Sequence, residues 1–271
     1  ERIITRSPRS YNSQIGVPLS VWLMNERTEL GVFEAGISEM GEMEALQSII
    51  RPTVGILTNI GGAHQENFYS VQDKCMEKLT LFKECDVVIY DADNEMISSC
   101  VSKSLFGARE IAWSRKDPER PLYIEWVRKG EKTTQIRYSY LGMPNEYTIP
   151  FIDEASIENS LHCLAVALYM MLPAEKITER MAHLEPIAMR LEVKEGKNGC
   201  VLINDSYNSD LASLDIALDF MSRRSEDKGR KRTLILSDML ETGQSSKLLY
   251  RQVAELVQSK RVTFVNVSSC R

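Results

Sequence analysis

The strongest constraint in this chain is a rhythm. Short, β-branched apolar runs at 31–35, 54–60 and 86–90 alternate with segments of helical period at 43–50 and 71–83. A strand buried on both faces reads as a continuous apolar run, and parallel strands need a crossover, usually a helix, between them. The pattern therefore predicts an α/β fold with a mostly parallel sheet. Polar residues gather where the apolar runs stop. Glu34 closes the first run, the second breaks at Gly61-Gly62 and presents His64, and the next helix carries Lys78. Ligands of open α/β sheets sit beyond the carboxyl ends of the strands. Two adjacent strand ends and the following helix thus point to one polar site.

Bulk properties narrow the class. A chain of 271 residues, 43% hydrophobic and 26% charged, has room for two domains or one large one. A net charge of −5 argues against a nucleic-acid partner, which needs basic surface to neutralise phosphates. No apolar run reaches the roughly 20 residues of a membrane span, and no secretory signal opens the chain. The six cysteines are scattered without a C-x-x-C pair, as reduced thiols are. The expected location is cytoplasmic.

In order, Ile3-Ile4 reads as strand and the segment through Asn12 and Gln14 as polar loop, while Gly16 and Pro18 open a helix. Glu1 starts so close to a strand that further sequence is expected upstream. Ser70 is placed to cap the helix over 71–83. Beyond Ser114 the runs LYIEWV, TTQIRYSYL and NEYTIPF alternate and are joined by Gly-containing turns, which predicts antiparallel hairpins appended to the sheet. A helix follows over 156–172, with Ser156 as its cap and Pro173 closing it. The irregular stretch 184–199 is the expected domain boundary. After it CVLIND, SLDIALDFM, RTLILSDM, KLLYRQVAELVQ and VTFVNVS read as a second α/β unit. The charge run at 222–232 is a solvated loop.

Several residues carry both a bland and a chemical reading. Glu34 could cap a turn, and His64 could be a satisfied loop histidine; together they could hold a hard cation such as Mg²⁺ alongside phosphate oxygens. Lys78 would ordinarily snorkel to solvent. Turned inward, it would lose its proton more readily and become a reactive amine. Asp205, Ser206, Tyr207 and Asn208 crowd a strand-to-helix turn that suits helix capping or a phosphate ligand. LSDMLETG repeats this arrangement with Asp238, Glu241 and Gly243. Spacing alone specifies a nucleotide- or phosphate-handling α/β protein.

The wording of these motifs resembles the Mur ligases of peptidoglycan biosynthesis. The likeness runs through NSQIGVPLS, FEAGISEMGEME, TNIGGAHQENF, the K-x-x-L-F at Lys78, DADN, IENSLHCLAVAL, MRLE, NDSYNSD and LSDMLETG, in family order over nearly the whole chain. Its D-S-Y-N turn is similar to that of the branch adding a dipeptide, where single-amino-acid adders and folylpolyglutamate synthetases tend to carry a His-containing turn. NDSYNSDLASLDIALDFM further resembles versions fused ahead of an alanine racemase. The resemblance implies a Rossmann-like central ATP-binding domain over 1–188 with the antiparallel β appendage. A second, incomplete Rossmann-like domain over 189–271 would follow.

It also implies an enzyme, an ATP-dependent ligase forming a C–N bond. Its substrates would be UDP-N-acetylmuramoyl-tripeptide and D-alanyl-D-alanine, joined through an acyl phosphate. On this likeness Glu34 binds the Mg²⁺ bridging the nucleotide phosphates, and His64 helps hold a second Mg²⁺. Lys78, 78 − 64 = 14 residues after the histidine, matches the lysine the family carbamylates to support that metal. Asn159, Arg190, Asp205 and Asn208 match nucleotide-contacting positions. Asn12 and Gln14 fall in the loop facing the UDP-muramoyl substrate, and Asn59 lies beside the metal site. Two departures stand out: no G-x-x-G-K-[ST] phosphate loop occurs in the 271 residues, and Ser156 stands where many relatives have Asn. The chain by itself is accordingly expected to be inactive or nearly so. A non-catalytic scaffold fused to a racemase, and a folylpolyglutamate synthetase-type ligase, are the competing expectations.

Overall fold

A computed structural model describes residues 2–8, 10–62, 64–104, 107–187, 190–207, 209–225, 231–239 and 245–268. The chain opens with a short parallel pair, β1 (Ile4–Arg6) beside β2 (Leu30–Val32), linked through α1 (Gly16–Val21). Then come α2 (Glu42–Ile50), β3 (Val54–Leu57), α3 (Val71–Thr80), β4 (Val87–Asp91), α4 (Glu95–Ser104) and β5 (Arg109–Ser114). Three long strands follow, β6 (Leu122–Lys129), β7 (Thr134–Tyr140) and β8 (Met143–Ile149), then α5 (Glu154–Tyr169) and α6 (Ala174–Ala182).

Strands β3 to β8 form one six-stranded sheet in sequential order. The ladders from β3 to β6 are parallel, and those from β6 to β8 are antiparallel. The hairpins predicted beyond Ser114 are thus continuous with the parallel sheet. Leu141 and Gly142 turn the chain between β7 and β8, both with positive φ (50° and 81°). Two such residues in a two-residue loop match the right-handed twist of the strands they join, as in a type I′ hairpin.

Alternate residues of β4 explain the continuous apolar runs. Val88 and Tyr90 enter a core with Met43 and Leu46 of α2, Cys75 and Leu79 of α3, and Ile97 of α4. Val87 and Ile89 enter a second core with Trp113, Leu122, Ile136 and the apolar face of α5 and α6. The sheet is therefore covered by helices on both sides, which is the mostly parallel α/β architecture expected.

Local details differ from expectation in instructive ways. Ser70 does cap α3, its hydroxyl accepting from the Asp73 N–H. The α5 cap, however, is the Asp153 carboxylate, which accepts from the Ser156 N–H at 2.8 Å. Ser156 is donor, not cap. Pro173 opens α6, a helix that periodicity had not marked out. Helix α4 and strand β5 were likewise not separated from their surroundings by pattern.

The remainder forms β9 (Glu192–Glu195), β10 (Val201–Asn204), α7 (Leu211–Ser225), β11 (Thr233–Ser237), α8 (Ser246–Ser259) and β12 (Phe264–Ser268). β11 and β12 pair in parallel, as a second α/β unit should. β10 pairs antiparallel with β9, and among the described residues no ladder joins it to β11. Leu214 and Leu218 of α7 meet Leu236, Met239 and, from α8, Leu249 and Val253 in a third core.

Candidate active site

Glu34 leaves the end of β2 on an exposed loop. Its Oε1 accepts from the Asn12 Nδ2 at 2.9 Å, and its own N–H donates to the Ser7 Oγ at 3.2 Å. The Asn12 carbonyl accepts from the Gly36 N–H at 2.7 Å, so this asparagine holds the Glu34 loop from both directions. Gln14 donates to the Glu42 carbonyl at 3.3 Å, at the start of α2. Asn12 thus sits beside the carboxylate, while Gln14 braces the following helix.

The strand ends expected to lie side by side at Glu34 and His64 belong to separate ladders. β2 pairs only with β1 among the described residues, and β3 only with β4. Glu34 and His64 therefore do not follow neighbouring strands of a single ladder. Their loops are tied instead by a side chain: Asn67 Nδ2 donates to the Ser38 carbonyl at 2.9 Å. His64 itself takes the left-handed conformation (φ 57°), starting a 3₁₀ turn over Gln65–Asn67.

Lys78 is half-buried on α3. Burial pushes its ammonium below the usual lysine range, while the nearby Glu34 carboxylate and Cys75 pull it back up. The amine is thus partly withdrawn from solvent and lies within the field of the Glu34 charge. Two neighbours escaped sequence reasoning. Lys74, one turn earlier, is 3% exposed and donates from Nζ to the Gly61 carbonyl at 2.8 Å. Glu77 is buried too, its Oε1 accepting from the Gly41 and Met43 N–H groups at 2.9 and 3.1 Å. That carboxylate satisfies first-turn donors of α2, where negative charge is favoured. The spacing 74, 75, 78, 82 was the available signal, since it puts both lysines on the stripe of Cys75 and Phe82.

Elsewhere the expected residues form a second group. Arg190 stacks on the Tyr207 ring, its guanidinium carbon 4.2 Å from the centroid. The Asp205 carboxylate accepts from the Leu191 N–H at 3.0 Å. Burial raises its pKa, a backbone hydrogen bond and Arg190 lower it, and the carboxylates of Asp210 and Asp153 raise it further. Asp153 caps α5, so the Asp205 turn lies near the start of the helix that bears Asn159. Asn159 and Asn59 are both exposed, on α5 and just after β3. Asn208, Glu241 and Gly243 lie outside the described residues. A cleft of about 410 Å³ runs between Gly62 and the second unit, where Asp210, Asp215, Leu249 and Gln252 line it.

Glu34 and His64 offer a carboxylate and an imidazole on tethered loops. That is a fitting donor pair for a hard cation, which usually takes few protein ligands and completes its shell with water and phosphate oxygens. Among the described residues no group of three or more His, Cys, Asp or Glu side chains is arranged to hold a metal ion. The five described cysteines are free thiols, and no described helix is long and apolar enough to cross a membrane.

Fold and site together define a three-layer α/β protein with polar side chains collected beyond the strand ends. Residues 2–167 match the model of the Mur ligase middle domain. The chain belongs to the Mur ligase family. It is 27% identical over 259 residues to the UDP-N-acetylmuramoyl-tripeptide–D-alanyl-D-alanine ligase of Bacillus subtilis, covering 93% of this chain and 54% of that protein. The chain thus spans about half the length of this relative. Among solved structures, MurF from Acinetobacter baumannii superposes with a TM-score of 0.84 at 16% identity, over 98% of this chain and 57% of that one. MurF ligase from Thermotoga maritima, in complex with ADP, gives 0.82 at 19% identity, over 98% and 60%. Identities this low speak for the fold alone.

Proposed function

We propose that this chain is the nucleotide-handling part of an ATP-dependent ligase that joins D-alanyl-D-alanine to UDP-N-acetylmuramoyl-tripeptide. The observation that carries the proposal is Lys78, an amine half-buried within reach of the Glu34 charge, on a helix inside the segment the family model matches. The kinship with the Bacillus subtilis enzyme supports the choice of substrates. Cytoplasmic location and division at 188/189 into central and C-terminal domains belong to the same proposal.

In this scheme the tripeptide carboxylate attacks the γ-phosphorus of ATP, giving an acyl phosphate and ADP. The dipeptide amine then attacks the acyl carbon. It loses a proton, and inorganic phosphate leaves as the amide forms. Catalysis of this kind consists mainly of positioning and of neutralising charge where two anions meet. Glu34 and His64 would hold Mg²⁺, which when bound supplies that neutralisation. Asn12 keeps the Glu34 carboxylate oriented. Lys78, made less basic by burial, is suited to take up CO₂: its neutral amine forms the carbamate N–C bond and releases a proton. The product is an anion that supports the metal site. Asn159, Arg190, Asp205 and Asn208 would contact the nucleotide, with the Tyr207 ring flattening Arg190 into place. Gln14 and Asn59 would border the muramoyl substrate.

The test uses the full-length protein, since a phosphate loop is required and these 271 residues contain none. Lys78→Ala should abolish phosphate release driven by D-alanyl-D-alanine, with partial recovery on adding short carboxylic acids. Normal turnover of that variant would sink the proposal. Phosphate release with glutamate alone as acceptor would instead point to folylpolyglutamate synthetase-type chemistry.

A further inference from the structure

Lys74 sits where three parts of the site meet. Its ammonium donates to the Gly61 carbonyl at 2.8 Å and lies 5.7 Å from the Phe68 ring centroid. Gly61 precedes His64 by three residues and Phe68 follows it by four, so one buried cation grips both ends of the loop that presents the imidazole. Lys74 is also one helical turn before Lys78 on α3, which places their side chains on one face. We infer that Lys74 is a positioning residue, clamping the His64 loop to α3 and so fixing the imidazole relative to Lys78. The inference rests on the ligase proposal for its consequence, although the clamp itself stands on contacts alone.

A third connection extends the clamp across the molecule. Asp210, which caps α7, raises the basicity of Lys74, against the larger lowering by burial and a further lowering by Lys78. Gly62 and Asp210 line the same cleft. The field of Asp210, at the start of α7, therefore reaches the clamp. A neutral side chain of equal length would fill the same volume and leave the loop without its electrostatic tie.

Lys74→Met in the full-length protein makes this measurable. Losing this cation leaves the buried Gly61 contact without its donor, which costs stability, so the thermal midpoint should fall modestly, and turnover is compared well below it. Turnover should fall on the order of 10- to 100-fold, the usual consequence of losing a group that orients a metal ligand. KM for ATP should stay within about two-fold, because the clamp orients reacting groups and not the nucleotide. Amide exchange over 61–68 should quicken while that of α3 does not. Lys74→Arg, which keeps the cation and its donors, should recover most of the rate. Lys74→Gln, which keeps a donor but no charge, should fall between. Wild-type turnover in Lys74→Met, or slowed turnover with unchanged loop exchange, overturns the inference. Lys78→Ala measured in parallel separates the two ideas. If it is inactive while Lys74→Met is normal, only the clamp fails; if it too is normal, the ligase proposal has failed.

Discussion

His162 is a histidine folded into an apolar core, and acid should find it. The side chain is 4% exposed on the inner face of α5. Its Nδ1 accepts from the Trp113 indole N–H at 3.3 Å, and the two rings meet edge to face at 5.5 Å. That bond assigns the proton of the neutral ring to Nε2, which makes no close hydrogen bond, although the Thr58 backbone lies near enough to favour the charged form slightly. Burial dominates and pushes the pKa from 6.5 down to about 4. Protonating Nδ1 would also set two N–H donors against each other. The unfolded chain therefore binds the proton first as pH falls. The stabilising contribution is full above the unfolded value, declines as pH drops through 6.5, and is spent below about 4. In all it amounts to about 3 kcal/mol, of which about 2 kcal/mol is lost between pH 7 and pH 5.

Urea unfolding followed by tryptophan fluorescence reads this directly. Carboxylates titrate over the same range, so the informative quantity is the difference between wild type and His162→Gln, a variant that keeps an acceptor for Trp113. Wild type should lose about 2 kcal/mol more than the variant between pH 7 and pH 5. Equal losses would mean that the buried imidazole is not what acid attacks, and the burial argument would be refuted.

Two further predictions concern the scaffold of the site. Glu77→Ala should cost about 1–3 kcal/mol in chemical denaturation by stranding the Gly41 and Met43 N–H groups, and Glu77→Gln, which keeps an acceptor, should cost less. A Glu77→Ala midpoint equal to wild type would show that the cap contributes nothing. In Gly55→Ala the new Cβ would come within 2.5 Å of the buried Phe82 ring. Overpacking of this kind costs about 1–3 kcal/mol. The loss should shrink when Phe82→Leu is added, and an unchanged melting temperature in the single variant would contradict the packing described.

What could be read from the residues followed from their period and from punctuation. Continuous apolar runs at 54–60 and 86–90 read as buried strands. That holds for β4 from Val87 to Tyr90, whereas β3 ends at Leu57 and leaves Ile56 exposed. Alternation beyond Ser114 reads as hairpins, and β6 to β8 form them. The Ser70 cap was legible because capping is local, needing a hydroxyl and an N–H three residues away. The α5 cap was misplaced by three residues because Asp153 and Ser156 both satisfy the rule, and only the backbone conformation before the first turn chooses between them. Helix α4, strand β5 and helix α6 were missed where moderate periodicity was settled by burial against neighbours distant in sequence.

The sequence by itself determined the polar residues at the run ends and the family to which their order belongs, since both are properties of spacing along the chain. Tertiary structure decided how they are held. The β2 loop reaches the His64 loop through Asn67 rather than through a shared ladder, and Glu77 and Lys74 are drawn inward by a carbonyl, two amides and an aromatic ring. A charged side chain ordinarily belongs in water. Its burial depends on partners that only folding brings within hydrogen-bonding distance, and no period in the chain announces them.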